Sequence, residues 1–355
     1  MRVVVVHDYV TQRGGAERVT LELLRAFPDS RLTTSFYRPS STFPEFADID
    51  VETSTWNHIP FLASDPRRAL PLLSGVFRRK QLLDADVVVC SSAGFAHEVQ
   101  STAPKVVYCH NPPRWLHQPE DYAMGLSSSG QFALRRMRSH LERRDRDGAL
   151  TAAGYIANSK NVAARIRAVY GRDATVINPP RGISPDGPIE AVPGLEPGFL
   201  LTIGRPRGYK QADIIAMAVA GMPEQRLVMV GGQVATKMPP NVRRLSGVSD
   251  AQLRWLYRES AAVLACSRED FGLTPVEAFG FGTPVGATRE GGYLETCVAG
   301  LTGQWLDASS LDALRGSITR LVTSEWDRAA IVAHGERWAP ETFHASVRAY
   351  VRGVV

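Results

Sequence analysis

The chain has 355 residues, 44% of them apolar and 22% charged, with a net charge of +5. At roughly 100–200 residues per domain this length predicts two domains, and the balance is that of an ordinary globular protein, which excludes bulk disorder. The charge excess is too small to argue for nucleic acid, but it suits anions such as a nucleotide diphosphate or an acidic membrane surface.

No stretch approaches the ~20 apolar residues that span a bilayer. Met1-Arg2 leads directly into a short valine run without the pattern of a secretion signal, so a cytoplasmic protein is expected. The four cysteines, Cys90, Cys109, Cys266 and Cys297, have no CxxC spacing. They read as small core residues in a reducing compartment rather than as a disulfide framework.

Val3–Val6 is β-branched throughout and reads as a central parallel strand, buried on both faces. Gly14-Gly15 follows, then a helix from about Ala16 with Val19, Leu23 and Phe27 on one face and Pro28 at its end. Strand, glycine turn, helix is the opening of a nucleotide-binding α/β domain. The alternation continues through expected strands at Leu32–Phe36, Val87–Cys90, Val106–Cys109, Tyr155–Ala157 and Thr175–Ile177, with a helix over Ser159–Tyr170 capped by Asn158 or Ser159.

Between Pro179 and Pro197 stand Pro180, Pro185, Pro188 and Pro193, a density that sustains neither helix nor central strand. This segment, 179–197, reads as a linker between an N-terminal domain, 1–178, and a C-terminal domain, 198–339. In the second half the same grammar restarts. Strands are expected at Phe199–Ile203, Leu227–Val230, Val242–Leu245, Ala261–Ala265 and Pro284–Ala287, with helices over Asp213–Ala220 and Asp250–Tyr257. The last segment, 340–355, reads as an amphipathic helix carrying Phe343, Val347 and Val351, expected to pack toward the N-terminal domain. The fold class is therefore α/β, with two Rossmann-like doubly wound domains facing across a cleft, and ligands are expected outside the carboxyl ends of the strands.

Chemistry-bearing residues follow strands. Arg205, after Gly204, and Lys210 precede a helix, where they could clamp a diphosphate and neutralise a departing group, although two solvated cations would look the same. The spacing is not that of a P-loop. Glu269 and Glu277, with seven residues between them, bracket a glycine-bearing turn at Phe271, Gly272, Leu273 and Thr274. Turn amides suit phosphate or sugar oxygens and carboxylates suit hydroxyls; the plainer alternative is that both acids complement a helix dipole. His110 follows the strand Val106–Cys109, and an imidazole in that place suits hydrogen bonding to a ligand; His7 stands at the end of the first strand. His110 and His117 are close enough in sequence to suggest a metal pair, but no further ligand set converges in sequence, and no metal is expected.

Taken in order, these pieces resemble the family 4 glycosyltransferases. The resemblance rests on Gly14-Gly15-Ala16-Glu17, Ala157-Asn158-Ser159, Val176-Ile177-Asn178-Pro179-Pro180, Gly204-Arg205 with Lys210, Glu269 to Glu277 continuing to Val285, and Gly291-Gly292-Tyr293-Leu294-Glu295. It implies a GT-B fold and a retaining, metal-independent transfer of sugar from a nucleotide donor to a glycan, lipid-linked or small-molecule acceptor.

By similarity Arg205 and Lys210 bind the diphosphate and Glu277 the ribose. Glu269 contacts the transferred sugar, Gly14 and Gly15 approach the diphosphate, and His110 lies near the donor sugar. Gln211, where the family often has Gly, and Asp270, where a small residue is common, depart from the pattern in the loops that carry Lys210 and Glu269. The segment Tyr108–Tyr122 resembles mannosyltransferases that use GDP-mannose in building surface polysaccharides, with UDP-glucose and UDP-N-acetylglucosamine as the alternative donors. No cofactor is expected besides the nucleotide sugar itself.

The basic stretches Arg67-Arg68 with Arg78-Arg79-Lys80, and Arg135-Arg136-Met137-Arg138 with Arg143-Arg144, read as solvated helix faces or as a peripheral contact with anionic lipid. The rival readings are a nucleotide-sugar epimerase on the same fold, a phosphorylase, a non-catalytic nucleotide-sugar-binding subunit, and a dehydrogenase; the last lacks GxGxxG after the first strand.

Overall fold

The computed structural model describes residues 1–59, 62, 70–118, 128–204, 212–231 and 238–355. The chain divides into two compact units, unit 1 comprising Met1–Pro179 and Pro340–Val355, and unit 2 comprising Pro180–Ala339.

Unit 1 runs β1 (Val3–His7), α1 (Gly15–Ala26), β2 (Arg31–Thr34), β3 (Val51–Thr53), α2 (Leu70–Arg79), β4 (Gln81–Leu82), β5 (Val87–Ser92), β6 (Gln100–Ser101) and β7 (Lys105–Cys109). It continues through α3 (Arg114–His117), α4 (Ser128–Leu150), β8 (Gly154–Ala157), α5 (Lys160–Tyr170) and β9 (Thr175–Val176). Its main sheet has the order β3-β2-β1-β5-β7-β8-β9, with β4 and β6 a separate short pair. Every pairing in the main sheet is parallel.

Period-two alternation explains why β1 is all valine before its histidine. Val3 and Val5 enter one core cluster and Val4 and Val6 the other, so both faces of the strand are covered. The chain moves from β1 to β2 on one side and later places β5 on the other side of β1, so the strand order reverses at the β1/β5 junction. In an open parallel sheet that reversal leaves a crevice at the carboxyl ends of the two strands.

Unit 2 runs β10 (Leu200–Gly204), α6 (Ala212–Ala220), β11 (Leu227–Gly231), β12 (Val242–Leu245), α7 (Asp250–Glu259), β13 (Ala262–Ala265), α8 (Leu273–Gly280), β14 (Val285–Thr288), α9 (Tyr293–Thr296), β15 (Gly303–Leu306), α10 (Leu311–Thr323) and α11 (Arg328–Gly335). The sheet order is β12-β11-β10-β13-β14-β15, again parallel, with the reversal between β10 and β13.

The chain ends in α12 (Pro340–Val354), which belongs to unit 1. There Phe343, Val347 and Val351 join the cluster that holds Val19, Leu23 and Leu24 of α1. His344 Nε2 lies 2.8 Å from Glu22 Oε2 of α1, and Tyr350 Oη donates to the Tyr155 carbonyl at 3.1 Å.

Helix starts follow local chemistry. Ser159 is the N-cap of α5 and accepts the Val162 amide at 3.1 Å, and Gly171 closes that helix in the left-handed conformation. At α7, Ser249 and Gln252 form a reciprocal capping box.

The proline-rich stretch is not a free linker. From Pro180 onward it is part of unit 2, with Ile183 and Val192 buried. Arg254 Nε donates to the Ser184 carbonyl at 2.9 Å, the Glu190 amide to the Ala251 carbonyl at 3.2 Å, and Arg243 Nη1 to the Gly194 carbonyl at 2.6 Å. Proline removes donors, so an extended strap needs donors brought from elsewhere, and these arginines bring them.

Candidate functional site

The unit 2 site begins at the β10/β13 reversal. A hollow there is lined by Gly204 at the end of β10, by Cys266 and Ser267 after β13, and by Thr274 and Tyr293. Arg205 and Lys210, expected beside it, lie outside the described residues, as does Gln211.

The loop from β13 to α8 is held close to the turn before α9. The Glu269 carbonyl accepts the Gly292 amide at 2.9 Å. Gly291 has φ +56, and a Cβ there would stand 2.3 Å from the Glu269 carbonyl oxygen. Gly272, the N-cap of α8, has φ +88 and leaves no room for a Cβ, because the Tyr293 ring would lie 2.5 Å from it. Only glycine satisfies both the left-handed backbone and the approach.

The side chains are fixed by hydrogen bonds. Ser267 Oγ donates to Glu269 Oε1 at 3.3 Å and lies 2.8 Å from Tyr293 Oη. Glu277, in the second turn of α8, accepts from Tyr257 Oη at 2.5 Å. Burial holds the Tyr257 and Tyr293 hydroxyls well above the usual tyrosine range, with the nearby Glu277 and Glu269 charges adding to it, so both remain donors. Phe271 points into the core near Trp338, leaving the backbone of Gly272, Leu273 and Thr274 at the start of α8. The first amides of a helix have no partner within it.

Unit 1 offers a second constellation at the β1/β5 reversal. His7 pairs in register with Ser91. Its Nδ1 is 2.9 Å from the Ser91 carbonyl and 3.1 Å from Ser91 Oγ. Ser91 Oγ lies 2.9 Å from Thr20 Oγ1 and 2.8 Å from His110 Nε2. Thr20 Oγ1 donates to the Ala16 carbonyl at 2.9 Å. With that proton committed, Ser91 donates to Thr20, and His110 Nε2–H donates to Ser91. His110 Nδ1 is then left as an acceptor. Burial, followed by the neighbouring His7, pushes His110 down to about 3, so its ring is neutral at ordinary pH.

Asp8, which sequence reasoning passed over, is buried and accepts three amides, Ala93 and Phe95 at 2.7 Å and Ala96 at 2.8 Å. It ties the end of β1 to the turn after β5. The Asn158 side chain donates to the His110 carbonyl at 3.0 Å and fixes the turn after β7. Gly14 is the extended N-cap of α1, with φ −122, and Gly15 opens that helix.

His117 takes a separate partner, Asp145, at 2.7 Å, and His97 reaches the other oxygen of the same carboxylate at 3.1 Å. His97 is held above its usual value, the Asp145 hydrogen bond and charge outweighing burial, and Asp145 is held below its own by the two histidines, again against burial. His110 and His117 are thus committed to different partners. Among the described residues no group of three or more His, Cys, Asp or Glu could hold a metal ion.

Of the basic stretches, Arg67 and Arg68 lie outside the described residues, Arg78 donates to the Arg144 carbonyl at 3.4 Å, and Arg138 pairs with Glu142 at 2.7 Å. Among the described residues no helix is long and apolar enough to cross a membrane. Cys90, Cys109 and Cys266 are buried free thiols, and Cys297 is a half-buried one.

The family described as "Glycosyltransferase Family 4" matches residues 13–186, and that described as "Glycosyl transferases group 1" matches residues 190–338. The chain is 28% identical over 283 residues to a D-inositol 3-phosphate glycosyltransferase of Pseudarthrobacter chlorophenolicus, covering 65% of this chain and 64% of that one. It is 30% identical over 185 residues to the lipopolysaccharide core biosynthesis mannosyltransferase LpcC of Rhizobium leguminosarum bv. viciae, covering 47% of this chain and 51% of the relative. The chain thus spans less than two thirds of the length of these curated relatives.

Among solved structures, sucrose-phosphate synthase from Thermosynechococcus elongatus superposes with a TM-score of 0.74 at 16% identity over 100% of this chain and 99% of that one. Anabaena Alr3699/HepE in complex with UDP-glucose superposes with a TM-score of 0.71 at 18% identity over 99% and 100%. With two parallel doubly wound units and both family descriptions matched in chain order, the chain belongs to the family 4 glycosyltransferases of the GT-B fold class.

Proposed function

We propose that this chain is a retaining, metal-independent glycosyltransferase that moves a sugar from a nucleotide donor to an acceptor hydroxyl. The observation that carries the reading is the unit 2 hollow at the β10/β13 reversal. Ser267, which lines it, hydrogen-bonds Glu269, and Thr274, which also lines it, lies in the same helix as Glu277, a carboxylate that Tyr257 orients. A carboxylate whose orientation is fixed suits hydroxyls of a ribose or a sugar, and the amides at the start of α8 suit phosphate oxygens.

In this reading Glu277 holds the ribose and Glu269 the transferred sugar, with Phe271, Gly272, Leu273 and Thr274 lining the donor. Arg205 and Lys210 neutralise the departing diphosphate. Gly14 and Gly15 approach the phosphates, and His110 presents a neutral Nδ1 to a sugar hydroxyl. The leaving phosphate oxygen takes the acceptor proton on the face it departs from, so the protein supplies positioning and charge rather than a nucleophile.

GDP-mannose is the leading donor, in keeping with the mannosyltransferase among the relatives. The acceptor is a glycan, a lipid-linked glycan or a small polyol, the last in keeping with the inositol phosphate named for another relative. A cytoplasmic protein with peripheral contact to anionic lipid through the basic stretches completes the proposal. Equal recovery with anionic and neutral liposomes contradicts that last part.

Thermal shift against GDP-mannose, UDP-glucose, UDP-N-acetylglucosamine and the free nucleotides tests the donor, because a ligand that prefers the folded state raises the midpoint. GDP-mannose is expected to give the largest shift. No shift with any member of the panel contradicts the reading.

A further inference from the structure

The backbone at His110 is held from two directions. Its amide donates to the carbonyl of Ser92, the last residue of β5, at 2.8 Å. On its other side the chain runs through Asn111, Pro112 and Pro113 into α3, where the Leu116 and His117 amides donate to the Pro113 carbonyl at 3.0 and 2.9 Å. Proline fixes φ, so this run is a stiff arm between His110 and His117.

Both directions lead to one carboxylate of α4. Asp145 is fully buried. His117 Nε2 lies 2.7 Å from its Oδ2, and His97 Nε2 lies 3.1 Å from its Oδ1. His97 stands in the turn Ala96–Glu98 after β5, and its Nδ1 is 3.0 Å from Ser92 Oγ. One route from Asp145 to His110 therefore passes through His97 and Ser92, and the other through His117 and the proline arm. Ring contacts brace both. Phe95, in the turn after β5, meets Trp115 of α3 edge to face at 5.5 Å, and the Tyr170 ring stands 6.0 Å from each histidine.

Charge explains the residue type. Burial raises the Asp145 carboxyl, but the hydrogen bonds from His117 and His97 outweigh burial and hold it below its usual range. It is therefore ionised, and both rings present an Nε2–H to it. A carboxylate accepts at both oxygens, whereas an amide of the same shape accepts at one end and donates at the other, so it can serve only one of the two rings.

We propose that Asp145 is a positioning residue for His110, acting through the paired histidines His97 and His117. This deepens the glycosyltransferase reading and rests on it for the contact between His110 and a sugar. A misplacement of about 1 Å at a group that positions the transition state costs roughly 100-fold in rate, so an anchor outside the site is enough to govern turnover.

Steady-state kinetics on Asp145→Asn, His110→Asn and the double variant test the assignment. His344→Asn is the control for lost stability, because His344 pairs with the buried Glu22 of α1 and takes no part in the clasp. Asp145→Asn is expected to lower kcat about 10–100-fold with the donor KM nearly unchanged. The double variant should be about as slow as His110→Asn alone, because one loss acts through the other. The control should turn over like wild type below its melting midpoint. His117→Asn cuts one route only and serves if Asp145→Asn does not fold; it is expected to lower kcat less, and again only when His110 is present.

Losses that multiply in the double variants overturn the proposal. So does a kcat in Asp145→Asn or in His117→Asn equal to wild type, or a control that falls as far as Asp145→Asn. Proton–nitrogen NMR of the imidazole rings reads the clasp without any substrate. Nε2–H is expected on both His97 and His117 in wild type, and its loss from one of them in Asp145→Asn should be accompanied by a shift of the His110 signals. Unmoved His110 signals overturn the proposal. If they move while wild type transfers sugar from no donor, the clasp stands and the transferase reading fails.

Discussion

His110 Nε2 lies 2.8 Å from Ser91 Oγ, and this contact fixes the orientation of the imidazole. Ser91 is held in turn by Thr20 and His7, so the His110 ring is oriented by residues from α1, β1 and β5. Ser91→Ala removes the acceptor that fixes the Nε2–H tautomer. Turnover is expected to fall about 10–100-fold with the donor KM nearly unchanged, as for a group that positions the transition state. Steady-state kinetics on the two proteins check this; a rise in KM alone would place Ser91 in donor binding.

The depressed His110 value predicts a pH signature. Between about 3 and its ordinary value near 6.5 the unfolded chain carries a proton on this ring that the folded chain does not. Stability therefore rises with pH across that window, by at most about 1.4 kcal/mol per pH unit from this group. His110→Asn is expected to flatten the fall in midpoint between pH 7 and pH 5. Melting curves at the two values for both proteins check it, and parallel slopes would show that the ring titrates normally.

Asp8 is a structural anchor of the unit 1 site. Asp8→Ala leaves the amides of Ala93, Phe95 and Ala96 without their buried acceptor. The expected loss is about 3–5 kcal/mol, read by urea denaturation. A loss below about 1 kcal/mol would mean that water replaces the carboxylate at little cost.

In unit 2, Glu277→Ala is expected to weaken nucleotide binding about tenfold or more. Tyr257→Phe, which removes only the donor that orients Glu277, is expected to weaken it less. Arg205→Ala is expected to slow transfer more than it weakens binding. Calorimetric titration with GDP and UDP, together with turnover, separates the three; equal effects of the first two would make Tyr257 a direct ligand.

The final helix should be needed for folding. Val347 is fully buried against α1 in the cluster that also holds Phe343 and Val351. Val347→Asp places a charge there and is expected to cost more than about 3 kcal/mol, seen as a collapse of soluble expression or of the melting midpoint. A midpoint within a degree of wild type would show the helix to be dispensable.

What could be read from the chain beforehand followed from local rules. The valines of β1, the cap at Ser159 and the glycines at 272 and 291 each have a local physical signature. The same holds for the Glu269 to Glu277 segment, where a strand, a turn and a helix fall within a few residues. The polar network of unit 1 was not legible, because His7 and Ser91 meet only through parallel register between strands 84 positions apart. Asp8 looked like an ordinary polar residue for the same reason. How the 179–197 stretch is held was not legible, because its donors, Arg243 and Arg254, lie some fifty to seventy positions downstream. Composition alone cannot announce such distant partners.

Proton NMR of a reaction containing GDP-mannose, an acceptor and excess EDTA tests the central claim most directly. The account predicts a new glycoside whose anomeric centre has the same α configuration as the donor, formed at an undiminished rate with metal sequestered. A β product, or a reaction that stops in EDTA and resumes with a divalent ion, would contradict it.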